Sequence, residues 1–192
     1  MGAPAPQRIG DEWIWAEFWT RHFTDRDRRS SWVVERRADG AVVGYLTGTR
    51  DVGRFDAYVP FLLPGIVLRA VRRRLIRRRA PRRAILALLR SLAAGELALP
   101  PGAAGAYPAT FHVNLLPEAR RRGLGRMLLG RFLDRMRALD VPGVHVQPLS
   151  GNRPIRQLLR RAGFRLLGAR PCRAFAHDEG EPMDIQTWVL PL

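Results

Sequence analysis

The chain contains no lysine, a single cysteine and no long apolar run. All 33 basic residues are arginine, and with 17 acidic residues they give a formal net charge of +16. Because Cys172 has no second cysteine to pair with, an internal disulfide is excluded, which favours a reducing compartment. No segment approaches the ~20 apolar residues that a membrane-spanning helix needs, and the first residues lack the pattern of a secretory signal. We therefore expect a cytoplasmic protein without a transmembrane segment.

Acidic residues are also missing from a long internal stretch. Between Asp56 and Glu96 there is none, whereas arginine occurs there ten times. One interpretation is codon bias, because the abundance of Ala, Gly, Pro and Arg is typical of a GC-rich bacterial genome. The other is an anionic partner, such as a nucleic acid, an anionic membrane surface or a polyphosphate ligand. Total charge does not decide between them.

Hydrophobic periodicity divides the chain into short alternating elements. Residues 11–24 carry apolar side chains at helical spacing and predict a helix. Residues 31–37 and 41–49 flank an Ala-Asp-Gly turn and predict a β-hairpin. Residues 66–94 predict two arginine-rich amphipathic helices broken at Pro81. The second half reads as strand 110–116, helix 123–139, strand 143–149, helix 152–163, strand 164–170 and strand 184–190.

This order predicts an α/β fold whose mixed sheet has helices on both faces. A chain of 192 residues suits one domain. We expect a single domain over 1–192, with an Arg-rich helical insert at 57–108 and a cofactor-binding core at 109–170. One face of helix 123–139 should pack on the sheet through Leu124, Met127, Leu128, Phe132 and Met136.

The most informative motif is the corner ARRRGLGRMLL, residues 119–129. A helix beginning near Gly123 offers unpaired amides and a positive dipole end, which together attract anions. Gly123 and Gly125 let a ligand approach the backbone without a Cβ in the way. A nucleic-acid patch would need only the arginines, so the glycines favour a phosphate cradle; a plain strand-to-helix turn is the alternative. Four arginines could add side-chain contacts, namely Arg120, Arg121, Arg122 and Arg126.

The pattern Arg120-x-x-Gly123-x-Gly125 resembles the (Gln/Arg)-x-x-Gly-x-(Gly/Ala) motif of the GNAT superfamily of acetyltransferases. The later Asn152 and Gly163-Phe164 and the order of elements match that family as well, over most of the chain except the insert. The run YPATFHVNLLPEARRRGLG is also similar to bacterial acetyltransferases related to the acetyltransferase-like domains attached to some hexosaminidases. The resemblance implies the GNAT acyl-CoA N-acyltransferase fold.

The resemblance also implies acetyl-CoA as the co-substrate, and we expect no metal site. Its diphosphate would rest on the amides of the corner, and its pantetheine arm would pair with β-strand backbone in a gap between strands 110–116 and 144–148. A backbone N–H near Leu115 would stabilise the oxyanion. Asn152 matches an asparagine that contacts the pantetheine, although it also reads as a helix N-cap before Pro154. The implied cofactor-binding residues are Val113, Asn114, Leu115, Arg120, Arg121, Arg122, Gly123, Leu124, Gly125, Arg126 and Asn152.

Two positions depart from the family pattern. The tyrosine that often serves as general acid corresponds to Leu159, and a glutamate base corresponds to Gln147. His112 and His145 lie on the two strands that flank the implied gap, and they are the candidate catalytic replacements because an unperturbed histidine titrates near neutrality. Each also has a purely structural interpretation. Weaker candidates are Tyr107 and Cys172.

The acceptor side is less defined. Residues 177–184, HDEGEPMD, hold four carboxylates that could attract a small-molecule or peptide amine, or that could form a solvated loop. The helices of 66–94 either pack on the sheet or dock an anionic partner. We expect an acetyl-CoA-dependent N-acetyltransferase acting by direct attack of an amine. The alternatives are a catalytically weak acyl-CoA-binding module, a basic protein that binds nucleic acid or membrane surfaces, and transfer of a longer acyl group. The oligomeric state stays open.

Overall fold

The computed structural model describes residues 20–74, 77, 79–172 and 183–192. Its strands are β1 (Trp32–Glu35), β2 (Val42–Thr49), β3 (Ala109–Leu115), β4 (Gly143–Val146), β5 (Arg165–Cys172) and β6 (Met183–Pro191). They form a six-stranded sheet in the order β1-β2-β3-β4-β6-β5. Among the strands that the structure describes, β3 and β4 run parallel to each other, and the other neighbouring pairs are antiparallel. The predicted mixed sheet is therefore confirmed.

Helices cover both faces of this sheet. They are α1 (described over 20–26), α2 (Val52–Arg72), α3 (Arg79–Ala93), α4 (Ala103–Ala106), α5 (Leu124–Arg137) and α6 (Arg153–Arg161). On one face the ring of Phe132 from α5 meets that of Phe111 on β3, with ring centroids 5.3 Å apart. On the other face Phe23 of α1 meets His112, at 5.5 Å. Successive strand residues point to opposite faces, so these two contacts place α5 and α1 on opposite sides.

The predicted hairpin is confirmed, but the helices of the insert differ from the prediction. The helix α2 begins at Val52 because the Asp51 carboxylate caps it, accepting the N–H of Gly53 at 2.9 Å. It ends where Arg74 adopts a positive φ of 51°. The predicted break at Pro81 is wrong, since Pro81 lies in the first turn of α3, where its missing N–H leaves no helical bond unmade.

The buried face of α5 is shifted from the predicted one. Met127, expected in the core, is 46% exposed. Leu129 and Leu133 are buried in addition to the predicted Leu128, Phe132 and Met136. The buried face of α5 therefore extends on the side away from Met127, because the sheet packs against the side of the helix that carries Leu129 and Leu133.

Several apolar side chains of the insert do not pack on the sheet. Phe61 on α2 is 79% exposed, and other large apolar residues of α2 and α3 are more than a third exposed, namely Val67, Leu68, Val71, Leu86, Leu89 and Leu92. Of the two interpretations of residues 66–94, packing of the apolar faces on the sheet therefore does not hold for the exposed residues of that range. Of the helices that the structure describes, none combines the length and apolar character needed to cross a bilayer.

Candidate functional site

The parallel strands β3 and β4 separate after a short paired region. They pair only at Ala109–Val144 and Thr110–His145. Beyond this, β3 continues to Leu115, whereas the chain after β4 stays with β6, where the Gln186 N–H donates to the Pro148 carbonyl at 2.9 Å. Within the described ranges, no strand pairs with residues 111–115 on the β4 side. A wedge-shaped gap, called the gap below, therefore opens towards the carboxyl ends of β3 and β4.

The strand register tells which backbone groups face the gap. The Leu116 N–H donates to the Val43 carbonyl of β2 at 2.9 Å. In an antiparallel ladder alternate residues direct their polar groups at the partner strand. Asn114 therefore turns its backbone N–H and C=O towards β2, while Val113 and Leu115 direct theirs into the gap. Of the three predicted backbone contacts, the register favours Val113 and Leu115.

Side chains at the end of β3 hold this arrangement in place. The Asn114 Nδ2 donates to the Tyr45 hydroxyl at 2.8 Å, on the neighbouring strand β2. The Arg120 Nε donates to the Leu115 carbonyl at 3.0 Å. Arg120 therefore ties the corner back to the strand, and it occupies one of the polar groups that the gap would otherwise present. The Val113 N–H and C=O and the Leu115 N–H remain directed into the gap.

The corner leads from β3 to the N-terminus of α5. Arg121 and Gly123 both adopt left-handed backbone conformations, with φ of 59° and 79°. Among the described residues, no side chain caps α5, and its first turn contains no acidic residue. The amides of Leu124, Gly125 and Arg126 consequently have no acceptor within the helix, and the positive end of the helix dipole is not neutralised. The surrounding exposed arginines are Arg120, Arg121, Arg122 and Arg126.

The two glycines of the corner have different physical reasons. At position 123 the left-handed backbone is what favours glycine. A close contact is not the reason, because a Cβ built there meets no described atom within 4 Å. Gly125 is helical, and a Cβ there would make only ordinary contacts, 3.6 Å from Leu158 and 3.7 Å from Leu115. Nothing in the described part of the chain requires glycine at 125, although glycine costs about 1 kcal/mol relative to alanine in a helix. A ligand approaching the backbone would account for it.

Comparison with known proteins decides the family. The model of the acetyltransferase (GNAT) family matches residues 3–164. The chain belongs to the GNAT acetyltransferase family. Members of this family use acetyl-CoA and act on amine acceptors, so membership implies acyltransferase activity.

Solved structures agree with this assignment. A crystal structure described as SsHAT has 28% identity and a TM-score of 0.70, over 99% of this chain and 86% of that one. The polyamine N-acetyltransferase of Drosophila melanogaster has 20% identity and a TM-score of 0.55, over 100% of this chain and 85% of that one. The ribosomal-protein-alanine N-acetyltransferase of Brucella melitensis has 18% identity and a TM-score of 0.51, over 88% and 74%. The last two similarities show the fold alone.

In this GNAT fold, Asn152 lies on the loop that leads from β4 to α6. Its Oδ1 accepts the N–H of Ile155 at 3.4 Å, and Pro154 occupies the first turn of α6. The N-cap interpretation is therefore confirmed. In the part of the chain that the structure places, the Asn152 Nδ2 makes no hydrogen bond, and the side chain is exposed. Its suggested contact with pantetheine stays a prediction that the capping role does not oppose.

The two histidines lie on the sheet face opposite α5. His145 is buried, and its Nδ1 hydrogen-bonds the Tyr107 carbonyl, which makes Nδ1 the protonated nitrogen and Nε2 the acceptor. Burial lowers the pKa of His145, and the hydrogen bond to Tyr107 opposes this in part. Burial, with His145 nearby, lowers the pKa of His112 to about 4. Both rings are therefore neutral at pH 7 and can accept a proton but hardly donate one.

The positions that depart from the family pattern are occupied by residues with other roles. Leu159 is fully buried in the hydrophobic core and cannot reach a ligand. The Gln147 Nε2 donates to the Thr187 hydroxyl at 3.3 Å. Tyr107 receives a hydrogen bond from Arg165 at 3.0 Å, and Cys172 is buried on β5, the strand at the edge of the sheet. His112 and His145 are therefore the titratable side chains that the two flanking strands carry.

Two predicted features lie wholly or mainly outside the described residues. The predicted helix over 11–24 is described only from residue 20, where it is helical. Of the acidic segment 177–184, only residues 183 and 184 are described. Asp184 is exposed, and its carbonyl accepts the Ser150 N–H at 2.8 Å.

Thr47 is a candidate that sequence reasoning missed. It lies directly opposite His112 in the β2–β3 register and is only 6% exposed. Its hydroxyl has no hydrogen-bond partner among the residues that the structure describes. Because an unmade hydrogen bond in a buried site costs free energy, the hydroxyl is suited to a ligand contact. A threonine within an alternating strand carries no sequence signal that could have indicated this.

Proposed function

We propose that this GNAT protein is an acetyl-CoA-dependent N-acetyltransferase that acetylates an amine of a small-molecule or peptide acceptor by direct attack. The observation that carries the proposal is the continuity of the gap with the corner. The backbone groups of Val113 and Leu115 face the gap, and the chain leads from there directly to the uncapped N-terminus of α5. An extended, amide-bearing ligand ending in a diphosphate matches both parts at once.

The residues present fit acetyl-CoA. The peptide-like arm would add to β3 as a strand, using the N–H and C=O of Val113, since Arg120 already engages the Leu115 carbonyl. The diphosphate would rest on the amides at the start of α5, where Gly125 allows close approach. The exposed arginines of the corner suit phosphate oxygens. Acetyl-CoA supplies an acetyl group activated as a thioester.

The chain's own groups supply electrostatic and proton-transfer help. The Leu115 N–H, which faces the gap, would stabilise negative charge on a carbonyl oxygen there, and losing one such donor typically costs ~10²–10³ in rate. His112 and His145 are the proposed proton acceptors for the attacking amine. A base with a lowered pKa is weak, so the acid–base contribution should fall at the low end of the usual ~10²–10⁴. Positioning of the two reactants would supply more.

Two measurements test this function. Calorimetry with acetyl-CoA and desulfo-CoA measures binding without turnover, and release of the CoA thiol in the presence of amine panels measures transfer. We expect both ligands to bind and thiol release to depend on an amine. If neither ligand binds, the proposal is wrong, whatever amine is supplied.

A catalytically weak acyl-CoA-binding module is the second candidate. It is favoured by the burial of Leu159 in the core and by the hydrogen bond that engages Gln147 with Thr187. This candidate predicts acetyl-CoA binding together with thiol release no faster than in buffer across all amines. The two measurements above therefore separate it from the enzyme.

We also propose that the insert formed by α2 and α3 can dock an anionic partner. Exposed Phe61, Leu68 and Leu89 lie on these helices among exposed arginines such as Arg72 and Arg90. Apolar side chains beside basic ones suit the interface of an anionic membrane. A nucleic acid would use the arginines alone. The exposed apolar residues therefore favour a lipid surface, and binding to nucleic acid instead is an outcome that the test described below can show.

A further inference from the structure

A polar cavity, distinct from the gap, lies at the other end of α5 from the corner. Its volume is about 700 Å³, and it is lined by α1, the turn Arg28–Ser30, the end of β2, the start of α2 and the last turn of α5. On α5 the cavity is lined by Arg135. From Leu124 to Arg135 the helix rises roughly 17 Å at 1.5 Å per residue. The cavity is therefore separate from the proposed acetyl-CoA site.

Arginines from five separate elements meet at this cavity. Two carboxylates line it as well: Asp25 pairs with Arg21 at 3.2 Å, and Asp27 accepts the Thr49 hydroxyl at 2.7 Å and the Ser30 hydroxyl at 3.1 Å. Two carboxylates do not balance the charge of the arginines that line the cavity. Over the ranges that the structure describes, only Arg54 among the lining arginines has a carboxylate in ion-pair distance, Asp51 at 3.4 Å. The six lining arginines are Arg26, Arg28, Arg29, Arg50, Arg54 and Arg135.

Two of these guanidinium groups are held at the wall of the cavity. The Nε of Arg135 is shielded from solvent and has no hydrogen-bond partner among the placed residues. A shielded N–H on a cation without an acceptor is unfavourable, so a ligand oxygen would satisfy it. The Arg26 guanidinium lies 5.7 Å from the centroid of the Tyr58 ring, and this cation–π contact orients the guanidinium plane.

We propose that this cavity binds a small anion that carries at least two adjacent phosphate groups, independently of acetyl-CoA. A guanidinium group can donate two parallel hydrogen bonds to the oxygens of one phosphate. Several guanidinium groups around one concave surface repel each other, and a bound anion relieves that repulsion. A single carboxylate cannot pair with arginines from five elements, whereas a diphosphate presents several oxygens in different directions. A volume of about 700 Å³ falls within the range of small-molecule sites.

Inorganic pyrophosphate is the probe, measured by calorimetry at physiological ionic strength with inorganic phosphate as the single-phosphate comparison. The test variants are Arg135→Met, which keeps the apolar stem, and Arg50→Gln, which changes an exposed side chain. The matched control is Arg131→Gln, which removes an exposed charge one turn earlier on the same helix, at a position that does not line the cavity. Gly125→Glu removes any contribution from the corner.

We expect pyrophosphate to bind more tightly than phosphate. The affinity should fall at least tenfold in Arg135→Met and in Arg50→Gln, and it should stay within twofold of the unchanged protein in Arg131→Gln and Gly125→Glu. Without ligand, Arg135→Met should melt no lower than the unchanged protein. The proposal is overturned if pyrophosphate does not bind, if Arg50→Gln binds it equally well, if Arg131→Gln weakens it equally, or if Gly125→Glu abolishes it.

Discussion

Replacing Gly125 with glutamate should separate ligand binding from stability at the corner. Glutamate is roughly 0.5 kcal/mol more favourable than glycine within a helix. A carboxylate in the first turn of α5, which has no acidic residue, adds about 0.3–1 kcal/mol through the helix dipole. The Cβ at this position meets only ordinary contacts. The ligand-free variant should therefore gain about 1 kcal/mol of stability, or about 2–4 °C in Tm for a chain of this size.

The same carboxylate should oppose acetyl-CoA. It places a negative charge beside the amides that the diphosphate would use, so we expect the affinity to fall at least about 100-fold, which corresponds to about 2.8 kcal/mol. The matched control is Gly130→Glu, five residues further along α5 and about 140° around it. A Cβ at Gly130 meets nothing within 4 Å in the described structure, so the helix should again be stabilised while binding is unchanged.

Thermal melts without ligand and calorimetry with acetyl-CoA read out the two effects separately. A Gly125→Glu protein that is stable and binds acetyl-CoA like the unchanged protein would refute the placement of the diphosphate. Equal loss of binding in Gly130→Glu would show that the effect is general to α5. A marked fall in the Tm of Gly125→Glu would contradict the structural argument about the open space at the start of the helix.

Three further predictions follow from the described geometry. Gly123→Ala should lower stability by about 1–2 kcal/mol in denaturant unfolding, because φ of 79° is unfavourable for a residue with a Cβ; no loss would contradict the left-handed corner. The pKa of His112, about 4 when folded and 6.5 when unfolded, means that its contribution to stability is fully present above pH 6.5 and is lost as the pH falls from 6.5 to 4. From pH 7 to pH 5 this amounts to roughly 2 kcal/mol, and His112→Asn should remove that part of the pH dependence; an unchanged slope would show that His112 is not the group responsible. For the insert, Phe61→Ser with Leu89→Ser should reduce binding to anionic vesicles while leaving retention on heparin unchanged; equal vesicle binding, or binding to nucleic acid alone, would contradict docking to a lipid surface.

The part of the fold that follows from local pattern could be predicted. The hairpin, the strand before the corner, the start of α5 and the N-cap at Asn152 all depend on residues close together in sequence, and the structure has each of them. The widened core face of α5 was not predicted, because the sheet beneath the helix decides whether Met127 or Leu129 is buried. The helix α2 begins earlier than predicted because Asp51 caps it. Hydrophobic periodicity does not show whether that cap or the later prolines decide where the helix begins.

The features that shape the candidate site depend on tertiary arrangement. The sequence predicted one strand over 143–149, whereas β4 ends at Val146 and the chain then follows β6, which opens the gap. The side to which Asn114 directs its backbone groups depends on the register with β2. The arginine-lined cavity joins elements that are far apart in the chain, from Arg26 to Arg135. No local pattern carries that information.

Amide hydrogen exchange resolved by residue, with and without acetyl-CoA, tests the central claim most directly. The account predicts that the amides of Val113 and Leu115, which face the gap, exchange rapidly without ligand and become protected when acetyl-CoA is added. The amides of His112 and Asn114, which face β2, should be protected in both states. Unchanged exchange at Val113 and Leu115 in the presence of saturating acetyl-CoA would contradict the placement of the cofactor along β3.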